Sequence, residues 1–106
     1  MIIKNGLVVD PALGLSEKMD LAIENGTILK IGKNIDTDQV SNDTEVLDAT
    51  GLVVAPGLVD THVHFRDPGF TYKEDLHTGA LAAAKGGFTS VICMANTSPV
   101  VDSLPV

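Results

Sequence analysis

The spacing of apolar residues changes at Pro56-Gly57, and this change limits the folds open to the 106-residue chain more than any other feature. Upstream, short apolar runs alternate with turn-forming pairs; downstream come one apolar run, one stretch with helical spacing and a second apolar run. Ile2-Ile3-Lys4 and Leu7-Val8-Val9 flank Asn5-Gly6, while Leu21 to Glu24 and Thr27 to Ile31 flank Asn25-Gly26. Asn and Gly both tolerate the positive φ that a two-residue β-turn needs, so each pair predicts a hairpin. The likeness of Ile-Lys-Asn-Gly to Ile-Glu-Asn-Gly reads as one turn solution used twice, not as a duplicated unit. Asp10-Pro11 through Ser16 and Asp36 through Thr44 read as loops, with further strands at Glu45 to Asp48 and Leu52 to Val54. Residues 1–55 are therefore expected to form a small β-sandwich-like module.

After Pro56 the pattern predicts strand, helix, strand. Leu58 to Phe65 forms the first strand. Thr71-Tyr72-Lys73-Glu74 has the Thr-x-x-Glu spacing of a capping box, ahead of a helix from about Lys73 to Lys85. Leu76, Ala80, Ala83 and Ala84 make a narrow apolar stripe of mostly small residues, suited to close approach to a sheet. Gly86-Gly87 ends the helix, and Phe88 to Met94 follows as a second buried strand, parallel to the first. Residues 56–106 thus read as one βαβ unit in an α/β protein. The loop Ala95-Asn96-Thr97-Ser98-Pro99 emerges at the end of the sheet to which Leu58–Phe65 points.

Chemistry concentrates in Asp60-Thr-His-Val-His-Phe-Arg-Asp-Pro-Gly69. Asp60, His62, His64 and Arg66 recur at every second position, so a regular strand would present all four on one face, opposite Val59, Val63 and Phe65. A His-x-His pair on a strand sets two imidazoles side by side, close enough to share a metal ion. A bare pair would read as structural histidines satisfied by carbonyls. Asp60, Arg66 and Asp67 weigh against that reading, because so much clustered charge is costly to bury without a metal, an anion or partner charges. Polar residues at the C-terminal end of a strand, before a helix, also occupy the place where α/β barrels build active sites.

Composition excludes several partners. A net charge of −7 and a pI near 4.6, with seven Lys and Arg scattered singly, argue against nucleic acid or an anionic membrane surface. No run approaches the roughly 20 apolar residues of a membrane span, and the first residues lack the pattern of a signal peptide, so a cytoplasmic location is expected. The lone Cys93 has no internal disulfide partner and, within Ser90 to Met94, reads as a small core residue. His77, mid-helix, and Lys85, at the helix end, read as surface residues.

The segment Asp60 to Gly69, followed by Gly86-Gly87-Phe88-Thr89 and Met94-Ala-Asn-Thr-Ser-Pro99, resembles the dihydroorotase family of the amidohydrolase superfamily, and the likeness runs through the whole chain. It implies a short N-terminal β segment followed by a metal-bearing (β/α)8 barrel, of which residues 56–106 would be the first, incomplete part. It further implies that His62 and His64 are zinc ligands, in a complete site of two zinc ions, and that Arg66 and Asn96 hold the carboxylate of a small-molecule substrate. Asp60 and Asp67 would orient the histidines or the arginine. An arginine fork and an amide donor suit bidentate recognition of a carboxylate. His-x-His alone is shared with hydantoinases and allantoinases; Arg66 narrows the resemblance, since hydantoin-type substrates lack the ring carboxylate that dihydroorotate and N-carbamoyl-L-aspartate carry.

The implied activity is reversible cyclisation of N-carbamoyl-L-aspartate to L-dihydroorotate, in pyrimidine biosynthesis, with an oligomer compatible with the complete enzyme. The alternatives are a non-catalytic structural or assembly polypeptide of the same family, or another cyclic amidohydrolase. Retention of His62, His64, Arg66 and Asn96 favours a piece of an active enzyme. No catalytic proton-transfer residue is assigned within this chain: a barrel needs about 250 residues, whereas 50 follow Pro56. The 106 residues alone are expected to show no dihydroorotate hydrolysis; measurable turnover by the purified chain would overturn that expectation.

Overall fold

The computed structural model describes residues 1–36 and 43–106, and its contacts divide the chain into two compact units, Met1–Pro56 and Gly57–Val106. Most of the polar stretch expected to form a loop between Asp36 and Thr44 lies outside the described residues. The remainder contains seven strands and one helix among the described residues.

The first unit is one mixed sheet, not a sandwich. Strands β1 (Ile2–Asp10), β2 (Leu15–Glu24) and β3 (Thr27–Gly32) pair antiparallel in succession, while β4 (Val46–Asp48) and β5 (Val53–Val54) both pair parallel with β1. Asn25-Gly26 forms the expected hairpin turn, with both residues at positive φ (49° and 73°). Asn5-Gly6 does not. There β1 runs straight through: Ile3 pairs with Leu21 and Gly6 with Met19, so one strand advances three residues while the other advances two. That mismatch is a β-bulge with Asn5 at φ 64°. The loop expected up to Ser16 is correspondingly shorter, because Leu15 and Ser16 already pair with Asp10 and Val9.

Asp20 explains why the bulge is stable. Its side chain is buried at 4% exposure, and its two oxygens accept the backbone N–H groups of Asn5 (2.8 Å) and Ile35 (3.0 Å). Lys4 Nζ lies 3.8 Å from the same carboxylate and donates to the Ile35 carbonyl at 3.1 Å. The bulge also falls where β1 changes partner from β4 to β5. Asn5 Nδ2 donates to Asp48, Ala49 N–H donates to Lys4 O, and Leu7 N–H donates to Leu52 O. Hydrogen bonds from the Thr50 and Asn5 side chains and the Thr50 backbone hold the Asp48 carboxyl below the usual carboxylate range. Ile2, Val8, Leu21, Ala22, Ile35 and Ala49 are buried in this unit.

The second unit holds β6 (Leu58–Val63), α1 (Leu76–Lys85) and β7 (Phe88–Cys93), with β6 and β7 parallel. The helix starts later than expected. Asp75, not Thr71, caps it: its side chain accepts Thr78 N–H while the Thr78 hydroxyl receives Asp75 N–H, a capping box shifted by four residues. The hydrogen bond from the Thr78 backbone, above all, holds the Asp75 carboxyl below its ordinary range. Residues 71–73 form a turn instead. At the other end Gly87 takes φ 84° and its N–H returns to Ala84 O. The buried helix position is Gly79, against the Phe65 ring; Leu76, Ala80 and Ala84 of the expected stripe are exposed.

Parallel pairing here does not bring burial. Leu58, Val59 and Ile92 are 53%, 62% and 56% exposed, and Cys93 is exposed as well, against the expectation of a core thiol. A parallel strand is buried only when layers cover both faces, and in this unit α1 is the one helix among the described residues.

Replacing Asp20 with Ala should leave the Asn5 and Ile35 N–H groups without their acceptor and lower stability by about 1–3 kcal/mol. Urea denaturation of the variant would measure it. An unchanged midpoint would show that the carboxylate does not hold the bulge.

Candidate functional site

The segment Asp60 to Gly69 begins inside β6 and leaves it. Register irregularity between Asp60 and Val63, where β6 advances three residues while β7 advances two, breaks the alternation expected of Asp60, His62, His64 and Arg66. A local hydrogen bond accompanies it: Asp60 Oδ1 accepts the backbone N–H of His62 at 3.0 Å, two residues on. Asp60 consequently lines, with Val63, Phe65, Gly79 and Phe88, a cavity of about 260 Å³ beneath α1. It belongs with the residues expected on the opposite face. Its contact with His62 runs to the backbone, not to the imidazole.

The two histidines do come together. Their ring centroids lie 5.2 Å apart at an interplanar angle of 67°. His62 is the penultimate residue of β6; His64 stands just beyond the strand. Arg66 then adopts φ 58°, a left-handed conformation that few non-glycine residues take and that reverses the chain into the turn at residues 67–69. Phe70 N–H closes this turn on Arg66 O at 2.9 Å. No ion pair joins Arg66 to Asp60 or Asp67 among the described residues.

β7 delivers the fourth expected residue to the same place. Val63 pairs with Cys93, Met94 N–H donates to Val63 O at 2.8 Å, and three residues past Cys93 the side chain of Asn96 meets His64, with Nδ1 to Oδ1 at 2.9 Å. The resemblance implies only a carboxylate for Asn96 to hold, and nothing in the sequence marks this contact. Strand register could have pointed to it, but only with the parallel pairing and its irregularity in hand. The loops are pressed together beside it: Ser98 N–H donates to Pro68 O at 3.1 Å, and Gly69, at φ 94°, approaches the Ser98 carbonyl so closely that a Cβ would collide with it.

The donor set is suited to a divalent metal but holds only part of what one needs. Two neutral imidazoles are good zinc ligands, whereas a closed site takes four ligands and a catalytic one three plus an open position. No cluster of three or more His, Cys, Asp or Glu side chains arranged for a metal occurs among the described residues. His77 is an exposed residue of α1. No described helix is long and apolar enough to cross a membrane.

Comparison with known proteins matches residues 51–104 to the family model "Dihydro-orotase-like". Over 101 residues the chain is 59% identical to the dihydroorotase of Streptococcus thermophilus strain CNRZ 1066, covering 95% of this chain and 23% of that protein. It is 58% identical over 103 residues to the dihydroorotase of Clostridioides difficile strain 630, covering 97% and 24%. With the Aquifex aeolicus dihydroorotase it shares 49% over all 106 residues, 24% of that protein. The chain thus spans about a quarter of the length of these relatives. Among solved structures, the L-hydantoinase of Arthrobacter aurescens superposes with a TM-score of 0.81 at 30% identity, covering 98% of this chain and 22% of that one. A D-hydantoinase from Thermus sp. gives 0.71 at 39% identity, covering 89% and 20%.

Gly69→Ala should force the 67–69 turn away from Ser98 and so loosen the His64–Asn96 contact at the neighbouring strand ends. Imidazole and amide side-chain resonances would report it: coupled shifts at His64 and Asn96 are expected, and undisturbed resonances at both would show that the two loops do not depend on this approach.

Proposed function

The chain belongs to the dihydro-orotase-like family, and from that premise we propose that it is the N-terminal portion of a metal-dependent dihydroorotase. In this reading Met1–Pro56 is the β segment that precedes the barrel and Gly57–Val106 supplies the barrel's first two strands and intervening helix. Its activity is the reversible closure of N-carbamoyl-L-aspartate to L-dihydroorotate. The observation that carries the reading is the convergence of His62, His64 and Asn96 at the ends of two parallel strands, with Arg66 two residues beyond His64.

His62 and His64 are the residues that would hold zinc in this chain, and the remaining ligands would come from later strands. When bound, such an ion supplies Lewis acidity that activates water and polarises the ring amide carbonyl. The chain's own contribution is binding and orientation. Arg66 offers a planar fork of donors and a permanent positive charge, matched to the carboxylate that both dihydroorotate and N-carbamoyl-L-aspartate carry. Asn96 adds amide N–H donors to the same group. Fixing the carboxylate sets the distance from anchor to scissile amide, and so aims that amide at the histidine pair. The proton-transfer residue, on this reading, lies outside these 106 residues. The substrate is a small molecule in an acidic, cytoplasmic protein, with no role for nucleic acid.

Likeness to the two hydantoinases keeps a second reading of the same reaction class, hydrolysis of a cyclic amide without a ring carboxylate. Arg66 separates the two.

In the enzyme that carries this segment, His62→Ala should abolish stoichiometric zinc binding, measured by metal analysis. Arg66→Met should lose a charge-assisted anchor of about 1.5–3 kcal/mol, roughly a 10–100-fold rise in KM for dihydroorotate. Retained zinc would sink the ligand assignment. Unchanged kinetics with dihydroorotate, together with turnover of hydantoin, would favour the second reading.

A further inference from the structure

We infer that Asn96 is a positioning residue for His64: its side-chain oxygen fixes the imidazole tautomer that leaves Nε2 free for a metal, while its NH2 remains the only part of the amide able to donate. The inference rests on the reading of His64 as a metal ligand.

An amide oxygen has lone pairs and no hydrogen, so the 2.9 Å contact between Asn96 Oδ1 and His64 Nδ1 requires the hydrogen to sit on Nδ1. A neutral imidazole carries one N–H. Placing it on Nδ1 therefore empties Nε2 of hydrogen and exposes its lone pair, the form in which histidine binds a metal. Ligating histidines ordinarily donate their second N–H to a carboxylate, carbonyl or water, and loss of that acceptor commonly costs 10–100-fold in metal affinity. Asn96 fills this role across 32 residues of sequence. His62 is held differently, through its backbone N–H on Asp60.

The loop bearing Asn96 is braced from both sides. Met94 N–H is tied to Val63 O at 2.8 Å, immediately before His64 in sequence. Past Asn96, Thr97 N–H donates to Ala95 O at 2.9 Å, Thr97 Oγ1 donates to Pro99 O at 2.8 Å, and Ser98 N–H donates to Pro68 O at 3.1 Å, in the turn that follows Arg66. With Oδ1 turned to His64, the two N–H bonds of the planar amide leave from the other side of the group. A carboxylate anchored by Arg66 and Asn96 would thereby be coupled through one amide to the orientation of a metal ligand.

The two functions of the amide separate by substitution. Asn96→Leu keeps the branched outline and removes both acceptor and donor; Asn96→Asp keeps the acceptor and removes the donor. In the metal-free 106-residue chain at mildly alkaline pH, imidazole nitrogen resonances should show His64 protonated on Nδ1 in the wild type and in Asn96→Asp. In Asn96→Leu the hydrogen should move wholly or partly to Nε2. In the metal-free form of the enzyme that carries this segment, titration with zinc chloride should perturb Nε2 of His64 in the wild type, and the apparent affinity should fall about 10–100-fold in Asn96→Leu and be restored in Asn96→Asp. His64 protonated on Nε2 in the wild type, or a tautomer and zinc affinity indifferent to the leucine, overturns the inference. Failure of zinc to perturb either histidine in the wild type overturns the metal reading itself, and with it the purpose of the contact, even where the tautomer follows residue 96.

Discussion

Backbone pairing between Leu58–Val63 and Phe88–Cys93 is the constraint from which the candidate site follows. The parallel ladder brings the ends of two strands together, and only this places an imidazole from the first beside an amide from the second. A parallel pair needs a crossover connection, and α1 provides it. The fit is tight because the helix presents Gly79 to Phe65: a Cβ there would stand 2.8 Å from the ring. Phe65 sits between His64 and Arg66 in sequence, so helix packing and site geometry share one short segment. The irregularity in β6 adds a second adjustment. With His62 N–H committed to Asp60, the strand takes up an extra residue, and the aspartate is lodged under the helix while the histidines continue toward the loops.

The first unit shows how the same local signal can serve two ends. Asn25-Gly26 and Asn5-Gly6 both place Asn at positive φ, as the side chain of asparagine allows. After Asn25-Gly26 the chain reverses and pairs with itself. After Asn5-Gly6 it keeps its direction because Leu7–Asp10 finds a partner in Leu15–Lys18 and the buried Asp20 accepts the N–H that the bulge frees. A dipeptide fixes a dihedral preference, but pairing over the following residues decides whether that preference turns a strand or merely bulges it.

Much of the candidate site was legible in the residues themselves. Type and spacing mark the two histidines and the arginine, and the resemblance alone marks Asn96; the structure brings His62, His64 and Asn96 together and sets Arg66 just beyond them. What failed was the regular alternation used to put Asp60 on the same face. It assumed a uniform strand to Phe65, whereas β6 ends at Val63 and carries an extra residue. The capping box failed for a related reason: Thr71 and Glu74 have the right spacing, yet Asp75 and Thr78 offer the same pair of hydrogen bonds four residues later. Cys93 and the apolar faces of β6 and β7 read as core because parallel strands usually are, and hydrophobicity alone does not say which layers are present to cover them.

The sequence by itself determined the two-part organisation, the strand–helix–strand order after Pro56, the Asn25-Gly26 turn and the gathering of two imidazoles and a guanidinium within residues 62–66. These follow from side-chain chemistry and from periodicities that need no partner. Tertiary structure alone decided that Asn5-Gly6 is a bulge, that Asp60 faces the helix, and that Asn96 reaches His64. The first and third depend on a hydrogen bond between residues whose proximity is set by strand register, and the second on an irregularity of that register; register is a property of the paired strands, not of either one.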